Sequence, residues 1–190
     1  MPSNRSLWTA KMKGKALPKS KGGAYVGSLY TGLILGVDPS LRGTGLALLE
    51  VGPQRKLTLI SSKTVRLKPA LSMTECLGEI FRAVHACLPE SAQGHIAMEQ
   101  TIYVQNVKIA QILGAARGAV MTAASLRGWP VFEYAPLRIK QAVVGYGRAS
   151  KEQVARTMMQ LLKTQNALPS DEADAAGAAL CHALTYRDDI

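Results

Sequence analysis

Four carboxylates carry the chemistry open to this sequence. Asp38 stands where an apolar run, residues 33–37, gives way to Pro39 and Ser40. Glu99 falls near the end of a second short run, HIAMEQ, residues 95–100, and Asp171 and Asp174 lie three apart in DEAD, residues 171–174. Each acid alone has a harmless role. Asp before a turn can bond the following backbone, an acid can mark where a strand reaches water, and Asp at a helix start is favoured by capping and by the macrodipole. Together they have a different meaning. Residues three apart on a helix share a face, and acids at strand ends can meet a helix packed on that sheet. Converging carboxylates repel unless divalent cations neutralise them, and hard oxygen donors suit Mg²⁺ or Mn²⁺. Two such ions can activate a water and stabilise the leaving oxygen in an in-line attack on a phosphodiester.

These acids need a scaffold, and the chain supplies one. Residues 33–37, 44–49 and 57–65 read as three successive strands, the first two joined by a tight turn containing proline and glycine. Met73, Leu77, Ile80, Phe81 and Val84 recur with a helical period across 71–88, and Pro89 stops that helix. Strands are expected at 95–100 and 130–134, with a long helix between them over 105–126. Small residues on that helix suit either a subunit contact or burial against its own sheet. A short helix over 136–144 precedes a basic glycine-containing loop, GYGR. Ser150 with Gln153 signals a capping box for a helix ending near Lys163, and a last helix is expected over 170–186. Strands followed by alternating helices and strands imply an α/β fold, a mixed sheet with helices on its faces.

Charge narrows the partner. The chain of 190 residues has a formal net charge of +10. Residues 1–31 hold Arg5, Lys11, Lys13, Lys15, Lys19 and Lys21 without an acid, which makes +6 there and +4 in the remainder. The expected organisation is a basic, flexible extension over 1–31 and one folded domain over 32–190. A basic domain with an acidic cluster favours a polyanionic substrate, and a nuclease is the leading reading. No uninterrupted apolar run reaches the length that spans a bilayer. The three cysteines, Cys76, Cys87 and Cys181, lack CxxC spacing and point to a reducing compartment. His85, His95 and His182 show no ligand spacing and read as structural or surface groups.

The ordered set GVDPSLRGTG, MEQ, PVFEY, KQAVVGYGRASKEQV and DEADAAGAAL, across residues 33–186, resembles the RuvC-type Holliday junction resolvases. The resemblance implies a ribonuclease H-like fold with a mixed five-stranded sheet and helices on both faces. It also implies a homodimer that nicks two opposed strands of a four-way DNA junction, in recombination and repair, with two Mg²⁺ ions per site. The family's acids then fall on Asp38, Glu99, Asp171 and Asp174. Its lysines of DNA contact and catalysis fall on Lys140 and Lys151, and its dimer contact on the helix containing Gln111 to Leu126. Arg148, in the loop before Lys151, is a further DNA-contact candidate. The resemblance implies the bacterial cytosol and a branch-migration helicase as partner. Two positions depart from the pattern. Ser40 stands where the family has glycine after Asp-Pro, so its backbone must avoid a glycine-only conformation. Ile102 and Tyr103 stand where the family has a base-stacking phenylalanine.

Other readings are open to test. An actin-like or sugar-kinase ATPase also begins strand–Asp–turn–strand, but it needs two such subdomains and this chain has room for one. Another ribonuclease H-like nuclease, acting on RNA–DNA hybrids or in transposition, would carry similar acids. A non-catalytic junction-binding protein would have no use for four clustered charges.

Overall fold

A computed structural model describes residues 30–101 and 106–187. Its strands β1 (Gly32–Asp38), β2 (Gly43–Val51), β3 (Leu57–Arg66), β4 (Gly94–Glu99) and β5 (Val131–Tyr134) form one sheet in the order β3-β2-β1-β4-β5. The β1–β2 and β2–β3 pairs are antiparallel, whereas β1–β4 and β4–β5 are parallel. The helices are α1 (Met73–Ala86), α2 (Val107–Leu126), α3 (Pro136–Val144), α4 (Lys151–Leu162) and α5 (Ser170–Thr185). Mixed strand direction and helices on both faces were both expected from the residue pattern.

Local chemistry sets the element ends. Ser72 caps α1 and forms a reciprocal box with Glu75, so the helix begins after it, two residues later than its apolar period suggested. Ser150 and Gln153 form the expected box at α4. After α3, Gly145 takes a left-handed φ of 84° that closes the helix.

Strand alternation creates two cores, one on each side of the sheet. Leu35, Val37, Leu46, Leu48, Ile96 and Met98 face α1 and α2, where they pack with Ile80, Val84, Val120 and Trp129. Ile34, Ala47, Leu49 and Ala97 face α5, which α3 and α4 cover with Ile139, Val143, Met158 and Leu162. From Ala175 to Ala183 every residue of α5 is buried. Its alanines and Gly177 let neighbours approach on all sides.

The tightest approach is between α5 and the sheet. A Cβ on Gly36 of β1 would lie 1.9 Å from the Ala175 carbonyl oxygen, and one on Gly45 of β2 would lie 1.9 Å from that of Asp171. Only a residue without a side chain permits that contact.

The outer side of α2 is left open. Val107, Ile109, Met121 and Leu126 are exposed, while Ala116, Val120, Ala123 and Ala124 are buried. Among the described residues α2 is long and apolar enough to cross a membrane by composition. However, Arg117 near its middle is held to Glu133, and its inner flank packs in the α1 core.

Gly45→Ala should force α5 away from β2. Overpacking of this kind costs about 1–3 kcal/mol, and urea unfolding should show a lowered midpoint. An unchanged midpoint would contradict the close approach.

Candidate active site

Asp38 and Glu99 end neighbouring parallel strands. The β1–β4 register pairs Val37 with Met98, so the next position on each strand carries an acid. Val37 and Met98 point into the α1–α2 core, and alternation therefore turns Asp38 and Glu99 to the α5 side. Both side chains are partly buried. The turn after Asp38 is fastened by Thr44, whose hydroxyl donates to the Ser40 carbonyl at 2.6 Å and accepts from the Ser40 amide at 3.3 Å. Ser40 is not among the residues with positive φ, so the turn does not demand the glycine that the family has there. Arg42 anchors the far side of the turn through the Lys68 and Leu71 carbonyls, at 2.5 and 2.8 Å.

The last helix brings the other two acids. Contact of the Asp171 backbone with Gly45 sets the height of its first turn, and the Asp171 carboxylate lies above Gly43. Gly45 is the register partner of Asp38, so the helix start lies beside that aspartate. Asp174, one turn on, is exposed at the rim.

The acids are close enough for their charges to act on one another. The Asp38 pKa is pushed up to about 6, first by burial and then by Asp174, Glu99 and Asp171. Glu99 is raised by burial and by Asp174, with Lys140 pulling the other way. Asp174 is raised by desolvation and by Asp171, against the opposing charges of Lys151 and Lys140. The cluster is open: among the described residues no three acidic, histidine or cysteine side chains close into a ready-made ion cage.

Beside the acids a cleft of about 570 Å³ runs between α3, α4 and α5. Glu99, Asp174, Lys140 and Lys151 line it with apolar residues that include Ile139, Val154 and Met158. Lys140 is partly buried and Lys151 exposed. Of the other candidates, Arg148 is exposed in the loop before α4 and does not line the cleft. Ile102 and Tyr103 lie outside the described residues.

Comparison with known proteins decides the family. The family described as crossover junction endodeoxyribonuclease RuvC matches residues 34–182. The chain is 43% identical over 150 residues to RuvC of Halorhodospira halophila, covering 79% of this chain and 89% of that one. RuvC of Burkholderia vietnamiensis is 41% identical over 150 residues, covering 79% and 82%. The chain belongs to the RuvC family. Thermus thermophilus RuvC in complex with a Holliday junction substrate superposes with a TM-score of 0.74 at 34% identity, over 80% of this chain and 93% of that one. The yeast mitochondrial resolvase Ydc2 shares the fold, with a TM-score of 0.55 at 11% identity over 96% and 84%. The ribonuclease H-like architecture of the RuvC family is therefore the architecture of this chain.

RuvC proteins generally use Mg²⁺, and the donor set here fits such an ion. The four acids offer hard oxygens, and the raised pKa values of Asp38, Glu99 and Asp174 go with a surplus of negative charge that a divalent cation would relieve. No histidine competes. His182 is fully buried, with Nε2 at 2.8 Å from His95 Nδ1 and Nδ1 at 2.6 Å from the Tyr134 hydroxyl. Burial and His95 lower its pKa to about 3, so it stays neutral within a cluster of Tyr30, Phe132, Tyr134 and Tyr186 rings. A separation of 87 residues hid this pairing from sequence reasoning.

Arg117 was missed as well. Its Nη1 donates to the Glu99 carbonyl at 2.8 Å, and its Nη2 pairs with Glu133. It thus ties α2 to the strand end that presents Glu99. Only its place inside an apolar helix marked it in the sequence.

The raised Asp38 pKa has a sign that can be checked. The ordinary carboxyl ionises near 3.8 and the folded one near 6. Folding therefore binds a proton across that window, and stability is lost as pH rises through it. In cation-free buffer Asp38→Asn should melt above the wild type at about pH 7, with the gap closing near about pH 4. Equal melting temperatures at both pH values would refute the strain.

Proposed function

We propose that this chain resolves four-way DNA junctions by paired, symmetric, Mg²⁺-dependent nicks. The observation that carries the proposal is the mutual electrostatic coupling of Asp38, Glu99, Asp171 and Asp174 beside two lysines, in a chain of the RuvC family. Asp38, at the centre of the coupling, would hold the two ions together with Glu99, Asp171 and Asp174, and Mn²⁺ could substitute for Mg²⁺. Such ions supply activation of the attacking water and stabilisation of the leaving oxygen.

The chain's own groups do the positioning. β1 and β4 hold two carboxylates on a rigid sheet, so little reorganisation accompanies substrate binding. Lys140 and Lys151 are suited to hold the phosphate and offset its developing charge. Arg148, further out, is suited to the DNA backbone. Formal charge of +10 favours counterion release, and affinity should fall steeply with salt.

Two opposed nicks call for two sites related by a twofold axis. The exposed side of α2 suits the contact between copies: Val107, Ile109, Met121 and Leu126 are apolar, and Gly114 and Gly118 have open space where a side chain would lie. The bacterial cytosol, where junction DNA is found, is the expected compartment.

A synthetic four-way junction with Mg²⁺, beside linear duplex and RNA–DNA hybrid controls, tests the reading. The junction should be nicked at symmetric positions, and equal cutting of the hybrid would favour another ribonuclease H-like activity. Asp38→Asn should lose at least about 10²-fold in nicking rate while binding the junction as well as wild type or better. Binding without cutting by the wild type would instead favour a non-catalytic binder.

Met121→Glu should place a charge in the contact between copies and shift the mass in sedimentation to that of the monomer. Persistence of a dimer would assign the contact elsewhere.

A further inference from the structure

DEAD holds three acids, and the structure separates the middle one from its neighbours. We infer that Glu172 is a positioning residue that holds Asp171 and Asp174 beside Asp38, an inference that rests on reading those aspartates as cation ligands.

Both oxygens of Glu172 point to strand β3. Ser62 Oγ donates to Glu172 Oε2 at 2.5 Å, and Thr64 Oγ1 donates to Oε1 at 3.3 Å. Two residues apart on a strand, Ser62 and Thr64 present their hydroxyls on one face. The sheet register places them meaningfully. Asp38 pairs with Gly45 and Gly45 with Thr64, so an aspartate, a glycine and a threonine form one row across three strands. The Asp171 backbone lies on the glycine in the middle of that row. Glu172 is bonded at its β3 end, and Asp38 stands at the other.

Helix geometry turns Glu172 away from the two aspartates. Successive residues are 100° apart, so Glu172 projects well away from the line of Asp174. The charges that raise Asp38 are Asp174, Glu99 and Asp171, and Glu172 is absent from that set.

The first turn of α5 needs an external fastening. Pro169 occupies its N-cap without a side-chain hydrogen bond, as Ala135 does at α3, whereas Ser72, Asn106 and Ser150 cap α1, α2 and α4 through their side chains. That uncapped turn also carries Asp171 toward other carboxylates, which repel it. The Glu172 bonds to β3 hold the turn against both tendencies.

Mn²⁺ binding to the free protein, followed by electron paramagnetic resonance well below the melting temperature of every variant, reads this role directly. Loss of an orienting partner weakens metal binding by about 10- to 100-fold, so Glu172→Ala should bind Mn²⁺ at least about tenfold more weakly than wild type. Glu172→Gln keeps an oxygen that accepts from Ser62, and should stay within about threefold of wild type. Removing the donors, in a Ser62→Ala, Thr64→Ala protein, should weaken Mn²⁺ binding as Glu172→Ala does. The triple variant should lose no more, since both changes break one contact. Wild-type Mn²⁺ affinity in Glu172→Ala would overturn the inference, whatever its melting temperature, because it would leave only a stabilising role. Equal loss in Glu172→Gln and Glu172→Ala would also overturn it, by showing that the charge itself serves as a ligand. Should Glu172→Ala fail to fold, Ser62→Ala alone carries the test, with an affinity at the wild-type level counting against the inference. The readout needs no DNA, so failure of the wild type to nick junctions would refute the functional reading and leave this comparison standing.

Discussion

Repulsion among four carboxylates is the constraint that the surrounding structure has to answer. Two like charges 4 Å apart cost about 4 kcal/mol in surroundings of intermediate polarity, and burial adds to that, as the raised Asp38 shows. A surface cluster would relax by swinging its side chains apart. This one is restrained because two of its members end strands of the sheet and two sit on a helix sunk into a core. The glycines at positions 36 and 45 remove the side chains that would keep that helix at a distance. Lys151 and Lys140 oppose the rise that burial gives the Asp174 pKa, and so offset part of the repulsion.

The sheet divides its labour between its faces. On the α5 side Gly36 and Gly45 let the helix backbone approach the sheet closely, which fixes where its first turn stands. On the other side larger aliphatic residues fill the space beneath α1 and α2, and the outer surface of α2 stays apolar. Arg117 connects the two arrangements, reaching from α2 to the carbonyl of Glu99 and to Glu133. A helix suited to meeting another copy is thereby bonded to the strand end that carries a candidate ligand.

Much of this was legible in the residue pattern. Short apolar runs ending at Asp38 and Glu99, the Ser150–Gln153 box and the helical spacing of the DEAD acids are local signals, and local signals survive in a sequence. Sheet order and the depth of α5 are not local. Gly36 and Gly45 look like ordinary strand glycines until the helix is placed on them. The His95–His182 bond and the Glu172–Ser62 bond join residues 87 and 110 apart, and no spacing rule links them. Ser40 was a departure without a reason. The reason is Thr44, whose hydroxyl holds the turn in a conformation that a serine backbone can adopt.

The burial of α5 from Ala175 to Ala183 has a mechanical consequence. From Asp171 to His182 the helix runs about 16 Å, with candidate ligands at one end and the neutral, doubly bonded imidazole at the other. The stretch from Ala175 to Ala183 is enclosed and has little room to bend, so a disturbance at its far end is passed toward the first turn. Enlarging a ring near His182 would therefore act like a shim under the far end of a lever and shift Asp171 and Asp174 without touching them. The aromatic cluster around His182 is therefore coupled, through one buried helix, to the candidate ligands at its other end.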